Sequence, residues 1–231
     1  SSSPAGYEGE LETTAYYASL EGMISDELKI SAGVRSEDGT QEINTYDLFA
    51  GKDNTIDKTI DESYALPSLT LTYLPIEYEN LQLRLGFSQT IARPTFRELS
   101  PTLFVDVDTD RVIAGSLYLQ NSEIDNVDLR FEYYFGQNQF VTFGAFYKEI
   151  QNPIEESVSE IGDLVITSYQ NVPLAEINGF EFEFERVFDG FETPWLSSKE
   201  VLVKFNYTFT DSEIVIGAGD TYTNLVGATV S

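Results

Sequence analysis

Between residues 169 and 210 the chain alternates with a period of two. Phe180, Phe182 and Phe184 take turns with Glu181, Glu183 and Glu185. After a polar break at 189–198, Val201, Val203, Phe205, Tyr207 and Phe209 take turns with Leu202, Lys204, Asn206, Thr208 and Thr210. Successive side chains of a strand point to opposite faces, so this pattern predicts two strands, each with one apolar and one polar side. A sandwich and a membrane barrel each supply two unlike surroundings of that kind, and this stretch does not choose between them.

The same pattern recurs along the chain. A first strand is expected over 9–21 and a second over 28–36, where Leu28, Ile30, Ala32 and Val34 oppose Lys29, Ser31, Gly33 and Arg35. Residues 36–62 are strongly acidic and aperiodic, which predicts a long solvated loop. The next hairpin pairs 64–74 with 80–92, its second strand setting Leu81, Leu83, Leu85 and Phe87 against Gln82, Arg84, Gly86 and Ser88. Pro94 ends that strand by removing a donor and restricting Arg93, and a second long loop is expected over about 93–126. A tight hairpin then joins 127–135 to 139–150 through Gly136, Gln137 and Asn138, residues with turn chemistry. Leu129, Phe131, Tyr133 and Phe135 share one face; Arg130, Glu132 and Tyr134 share the other. A third loop over 151–166 leads into the hairpin of 169–210, and the Gly- and Thr-rich 213–231 carries no strand signal.

This organisation amounts to about eight long strands in four hairpins, with connections alternating between short and long. Transmembrane barrels sort their loops in this way, short turns at the periplasmic end and long loops outside, whereas a sandwich has no reason to. Several strands are longer than the five or six residues usual in soluble sheets and carry Arg, Lys or Glu in mid-strand, as a wet lumen wall would. The fold class expected is all-β: an antiparallel transmembrane β-barrel, present as an incomplete segment.

Composition narrows the function. Thirteen basic against 39 acidic residues give a net charge of -26, which repels phosphate backbones and argues against nucleic acid as a partner. The chain has no Cys and no His, so thiol nucleophiles, disulfides, the usual zinc sites and the commonest general base are missing. No nucleophile and base stand at motif spacing, and no enzyme activity or cofactor is expected. No apolar run reaches the roughly 18 residues of a membrane-spanning helix, which does not bear on a barrel. The mean hydropathy of -0.19 fits either architecture, while 14 Tyr and 16 Phe suit aromatic girdles as well as a sandwich core.

Two acidic patterns invite a site. Asp106, Asp108 and Asp110 have the spacing that opens an EF-hand calcium loop, but Arg111 stands where the loop needs Gly and Leu117 where it needs Glu. A solvated acidic loop is the reading, with calcium a minor alternative. The stripe Glu181, Glu183 and Glu185 requires high dielectric or cross-strand cations such as Arg130 and Lys204 to be tolerated.

Segments across 9–213 occur in the order and spacing of a known family. ELETTAYYASLEGMISDELKISAGVRSED, ALPSLTLTYL, LRLGFSQTIARPTFRELSP, FGAFYKEIQNPI, NVPLAEINGFEFEFE and FNYTFTDSE together resemble the barrel of TonB-dependent outer-membrane receptors. The resemblance implies a barrel of about 22 strands closed by a plug, in the outer membrane of a Gram-negative bacterium. Such a receptor imports a scarce ligand, such as a ferric siderophore, cobalamin or an oligosaccharide, with energy passed on by TonB. Residues 1–231 match its later-middle wall, without plug, early strands or closing strands. On this basis Phe131, Tyr133, Phe182, Phe184, Phe205 and Tyr207 are expected to face lipid. Arg84, Arg130, Glu181, Glu183, Glu185 and Lys204 are expected to face the lumen or plug, and Asp106, Asp108, Asp110, Glu155 and Glu156 to lie in outer loops where ligand is met. Phe96 and Leu99 are expected to pin the loop after Pro94 against the barrel rim. The edge strands 9–21 and 200–212 are expected to pair with further polypeptide, since a cut barrel leaves two open edges. The alternative reading is a secreted β-sandwich binding module of carbohydrate-binding type, in which the apolar faces would meet a second sheet.

Overall fold

A computed structural model describes residues 6–47, 51–106, 111–161, 164–188, 200–215, 222–223 and 229–230. The first strands are β1 (Gly6–Met23), β2 (Leu28–Asp47), β3 (Gly51–Tyr73) and β4 (Leu81–Ala92). A single turn of helix, α1 (Phe96–Leu99), and two short strands, β5 (Phe104–Asp106) and β6 (Arg111–Ile113), follow. Then come β7 (Ser122–Gly136), β8 (Gln139–Gln151), β9 (Ile154–Ile161), β10 (Leu164–Asn171), β11 (Leu174–Phe188) and β12 (Val201–Val215). A small pair, β13 (Tyr222–Thr223) and β14 (Thr229–Val230), ends the chain.

The long strands form one eight-stranded antiparallel sheet in the order β1-β2-β3-β4-β7-β8-β11-β12. They are the eight expected, and the sheet is not closed: among the described residues β1 and β12 each pair on one side only. Local chemistry sets the short turns. Asn138 takes a left-handed φ of 56°, which Asn tolerates, and lets Gly136 pair with Gln139 across a two-residue turn. A 3₁₀ turn over Ile76–Tyr78 joins β3 to β4, and Ser25 caps the β1–β2 turn by accepting from the amide of Leu28 at 3.2 Å.

Register carries the apolar residues onto one face. Leu85 pairs with Leu129, Phe131 with Phe143, Phe143 with Phe182, and Phe182 with Tyr207. Phe184 and Phe205 share that face and Phe180 stacks on Phe209 at 5.5 Å. A soluble sheet would bury this side, yet here burial is reversed. Leu129 is 49% and Phe205 54% exposed, while Glu132 and Thr142 on the opposite face are 6% and 4% exposed. Among the described residues no second sheet covers the apolar face, so the sandwich reading fails. Crowding of the polar face is what curvature toward that face produces.

Three stretches expected as loops are corrected, and 213–231, expected to carry no strand, holds the end of β12 together with β13 and β14. Residues 36–62 are mostly strand: β2 runs on to Asp47 and β3 starts at Gly51, paired from Leu28↔Tyr73 to Asp47↔Gly51. Residues 93–126 hold α1, β5, β6 and the start of β7, and 151–166 hold β9 and the start of β10. The short strands assemble into a second sheet of order β5-β6-β10-β9, in which β6 and β10 are parallel. These segments form a cap on the inner side of the projecting β2–β3 ribbon. Ile43 and Ile60 of the ribbon are buried with Leu99 and Leu119 of the cap, and Phe96, Leu117, Ile154 and Tyr169 pack around them. Above the apolar band one side of the ribbon meets water and the other meets cap, so the inward positions Glu37, Gln41, Ile43 and Thr45 mix polar with apolar and the alternation disappears.

Candidate functional site

The polar face carries the charge. Arg84 of β4 stands directly opposite Arg130 of β7, a like-charged pair that the register would make unfavourable on its own. Glu132, two residues along β7, resolves it. Its Oε1 lies 2.6 Å from Arg130 Nε and its Oε2 lies 3.9 Å from Arg84 Nη2. Gln82 and Tyr134 donate to the same Oε2 at 3.0 and 3.2 Å. Arg130 also reaches Glu183 of β11 at 3.7 Å, and the Thr142 hydroxyl donates to that carboxylate at 3.4 Å. Glu185 pairs with Lys204 at 2.9 Å. Glu181, by contrast, lies between Gly144 and Thr208 on its neighbouring strands. The acidic stripe therefore survives by the cross-strand cations expected for it at two positions and by uncharged neighbours at the third.

A second network joins the cap to the ribbon. Glu37 accepts from Arg35 Nε at 2.8 Å and forms an ion pair with Arg93 Nη2 at 2.7 Å. Gln41 Nε2 donates to the carbonyl of the buried Pro94 at 2.7 Å. Thr95 and Glu98 close a capping box on α1, and Arg97 stacks over the Phe104 ring at 3.7 Å. Pro94, Phe96 and Leu99 thus hold the emerging segment against the β2–β3 ribbon. Gly39 leaves room for Arg93, since a Cβ there would sit 2.5 Å from its Nη2.

Arg35 and then Arg93 hold the Glu37 carboxyl below its ordinary value of 4.5. Its stabilising contribution is therefore fully present above about pH 4.5 and fades as pH falls through the lower folded value. Glu37→Gln is expected to cost about 2 kcal/mol at pH 7, less than a fully buried pair because Arg35 is half exposed. The stability difference between parent and variant, read by denaturant titration of the cap, should shrink as pH drops below about 4.5. A difference that stays constant down to pH 3 would remove the ion pair from the account.

Between ribbon and barrel wall the sheet divides. β3 pairs with β4 from Ser68↔Ser88 to Tyr73↔Leu83, and above that level, among the described residues, its ladder partner is β2 alone. A cavity of about 290 Å³ lies in the opening, lined among others by Tyr64, Gln89, Glu123 and Asp125. Asn121 ties the segment before β7 to β3, donating to Glu62 at 3.1 Å and to the Tyr64 hydroxyl at 3.0 Å. Tyr64 also donates to Glu62, and burial followed by that carboxylate pushes its hydroxyl up to about 12.

Of the outer-loop candidates, Glu155 and Glu156 are half-buried in β9, opposite Gln170 and Tyr169. Burial, then the neighbouring charge of Glu156, pushes Glu155 up. Asp106 ends β5 opposite Arg111, while Asp108 and Asp110 lie outside the described residues. Glu132, Glu37 and Arg93 were not singled out by sequence reasoning. The available signal for the first was Arg-x-Glu on the polar side of a two-sided strand; the other two meet only through the cap.

Residues 1–230 match the family model described as TonB dependent receptor-like, beta-barrel. No curated protein matches the sequence significantly. Among solved structures, the siderophore receptor PiuA from Acinetobacter baumannii is 16% identical with a TM-score of 0.63, over 97% of this chain and 28% of that one. The copper transporter OprC is 14% identical with a TM-score of 0.62, over 87% and 29%. The Serratia marcescens hemophore receptor HasR, solved with its hemophore HasA and heme, is 13% identical with a TM-score of 0.60, over 77% and 32%. The chain spans about a third of the length of these three proteins. With its reversed burial, in-order antiparallel sheet and match along nearly the whole sequence, the chain belongs to the TonB-dependent receptors and corresponds to part of their β-barrel domain.

Proposed function

We propose that this chain forms wall and outer rim of an outer-membrane transporter that takes up a scarce extracellular ligand with energy delivered through TonB. The observation that carries the proposal is that the aromatic face, half-exposed to exposed, has no layer over it among the described residues, while Glu132 and Thr142 in the middle of the opposite face are buried and hydrogen-bonded. Such a sheet is unstable in water and suited to a bilayer on one side and a hydrated, plugged lumen on the other. In this reading Phe131, Tyr133, Phe182, Phe184, Phe205 and Tyr207 meet outer-membrane lipid. Arg84, Arg130, Glu181, Glu183, Glu185 and Lys204 line the lumen, where the arginines and Lys204 are available to a plug. The open edges of β1 and β12 pair with the remaining strands of the barrel, since long unpaired edges invite such pairing. The cap, with Asp106 at the end of β5 and Glu155 and Glu156 in β9, lies on the side that meets ligand. Siderophore, heme and copper proteins all share the fold, so the ligand is not fixed by it.

Residues 1–231 hold no Cys, so the test is direct once any Cys elsewhere in the full receptor is replaced by Ser. Single cysteines at Asn206 and Tyr207, adjacent on β12 but on opposite faces, are introduced into the full receptor in cells. The cysteine at 206 should react with a charged, membrane-impermeant maleimide and that at 207 only with an apolar one. Equal labelling of both by the charged reagent would refute the membrane reading.

A further inference from the structure

At the outer rim, where β7, β8 and β11 leave the sheet, an open cleft of about 480 Å³ lies between the segment before β7 and the link from β10 to β11. Its lining is Ser116, Tyr118, Gln120, Asn152 and Gln170 above a floor of Leu119 and Asn171–Pro173. In a chain of net charge -26 this lining contains no carboxylate, lysine or arginine. We propose that the cleft binds a neutral polyhydroxylated ligand, that is, a sugar chain.

Three observations lead there. Among the described residues the side-chain amides of Gln120, Asn152 and Gln170 make no hydrogen bond within the protein, so their donors and acceptors are available together. An amide offers both functions at one end, as does each hydroxyl of a sugar, whereas an ion entering here would lose water and meet no countercharge. Tyr118 is 90% exposed beside them, presenting a flat apolar ring with a hydroxyl tip, a surface on which the C–H face of a sugar ring packs.

The floor is rigid before any ligand arrives. Asn171 Nδ2 donates to the Asn152 carbonyl at 2.6 Å and to the Gln120 carbonyl at 3.2 Å, and its Oδ1 accepts from the Gln120 amide at 2.8 Å. Val172 N donates to the Pro153 carbonyl at 2.9 Å, and Asn152 holds a left-handed φ of 52° that turns β8 into β9. Leu119 and Val172 are buried beneath. Preformed geometry of this kind lowers the ordering cost of binding.

The inference rests on the receptor reading for the cleft's place at the cell surface, but its test reads binding rather than transport, so either can fail alone. The full receptor in detergent is titrated calorimetrically with three neutral hexasaccharides, of glucose, xylose and galactose, with oligogalacturonate as the charged control. A second arm uses a neutral O-antigen oligosaccharide from lipopolysaccharide, cleaved free of its anionic core, which separates a soluble sugar from a membrane glycan. Binding of at least one sugar in the millimolar range or tighter is expected, weakened about tenfold by Tyr118→Ala and by Gln170→Ala. Tyr118 is exposed, so its variant folds as the parent does, and an unchanged circular dichroism melt confirms this. The proposal is overturned if no sugar in either arm binds below about 10 mM, if both variants bind like the parent, or if oligogalacturonate binds best.

Discussion

Gly115→Val should prevent the cap from closing on itself. A Cβ at this position would lie 2.4 Å from the carbonyl oxygens of Glu98 and Ser100 and 2.7 Å from that of Arg97. All three are backbone atoms at the end of α1, so no side chain can swing away, and two further branches on the Cβ make the overlap worse. The close approach exists because the Gly115 amide donates to Ser100 O at 2.7 Å and the Ser116 amide to Glu98 O at 2.6 Å. Separating these segments also draws Leu99 from Leu119, both fully buried in the small core. The expected cost, about 3–5 kcal/mol, combines overpacking with loss of apolar burial. It should be confined to the cap: hydrogen exchange at Leu99, Gly115 and Leu119 should quicken by orders of magnitude while the amides of β7 and β8 keep their protection. Parent-like exchange in the cap would show that the glycine is dispensable.

Phe182→Arg is expected to impair barrel assembly, whereas Thr208→Arg, on the neighbouring strand but the other face, should be accepted. Position 182 lies between Phe143 and Tyr207 in the middle of the apolar band, and if that band meets lipid as proposed an arginine there costs about 2–4 kcal/mol. Thr208 pairs with Glu181, the one stripe carboxylate without a cation beside it, so the new guanidinium gains a partner in a hydrated surrounding. Urea titration of the full receptor folding into vesicles measures both. Equal destabilisation by the two substitutions would contradict the assignment of faces.

The wall was legible in the sequence because its two faces differ in chemistry at every step. Apolar and polar demands alternate at successive residues, and Phe182 beside Glu183 or Phe131 beside Glu132 records them locally. The upper ribbon was not legible for the converse reason. At Glu37, Gln41, Ile43 and Thr45 the inner face meets a folded cap, which accepts an ion pair at one rung and an isoleucine at another, so no period survives. The cap core joins residues as far apart as Ile43 and Leu119, and its strands are too short to show a pattern. Where chain geometry is fixed within a few residues, as at Pro94, Phe96 and Leu99, sequence was enough. The amide cleft gave no signal, since Gln120, Asn152 and Gln170 come from three separate segments.

The parting of β3 from β4 above Ser68 has an evolutionary corollary. Below that rung any insertion shifts register against two neighbours and turns a run of side chains to the wrong face. Above it, β2 and β3 can be lengthened or shortened by matched pairs of residues without re-registering β4 or any strand after it. Lineages should therefore vary the height of this ribbon in steps of two residues per strand while the wall beneath keeps its length.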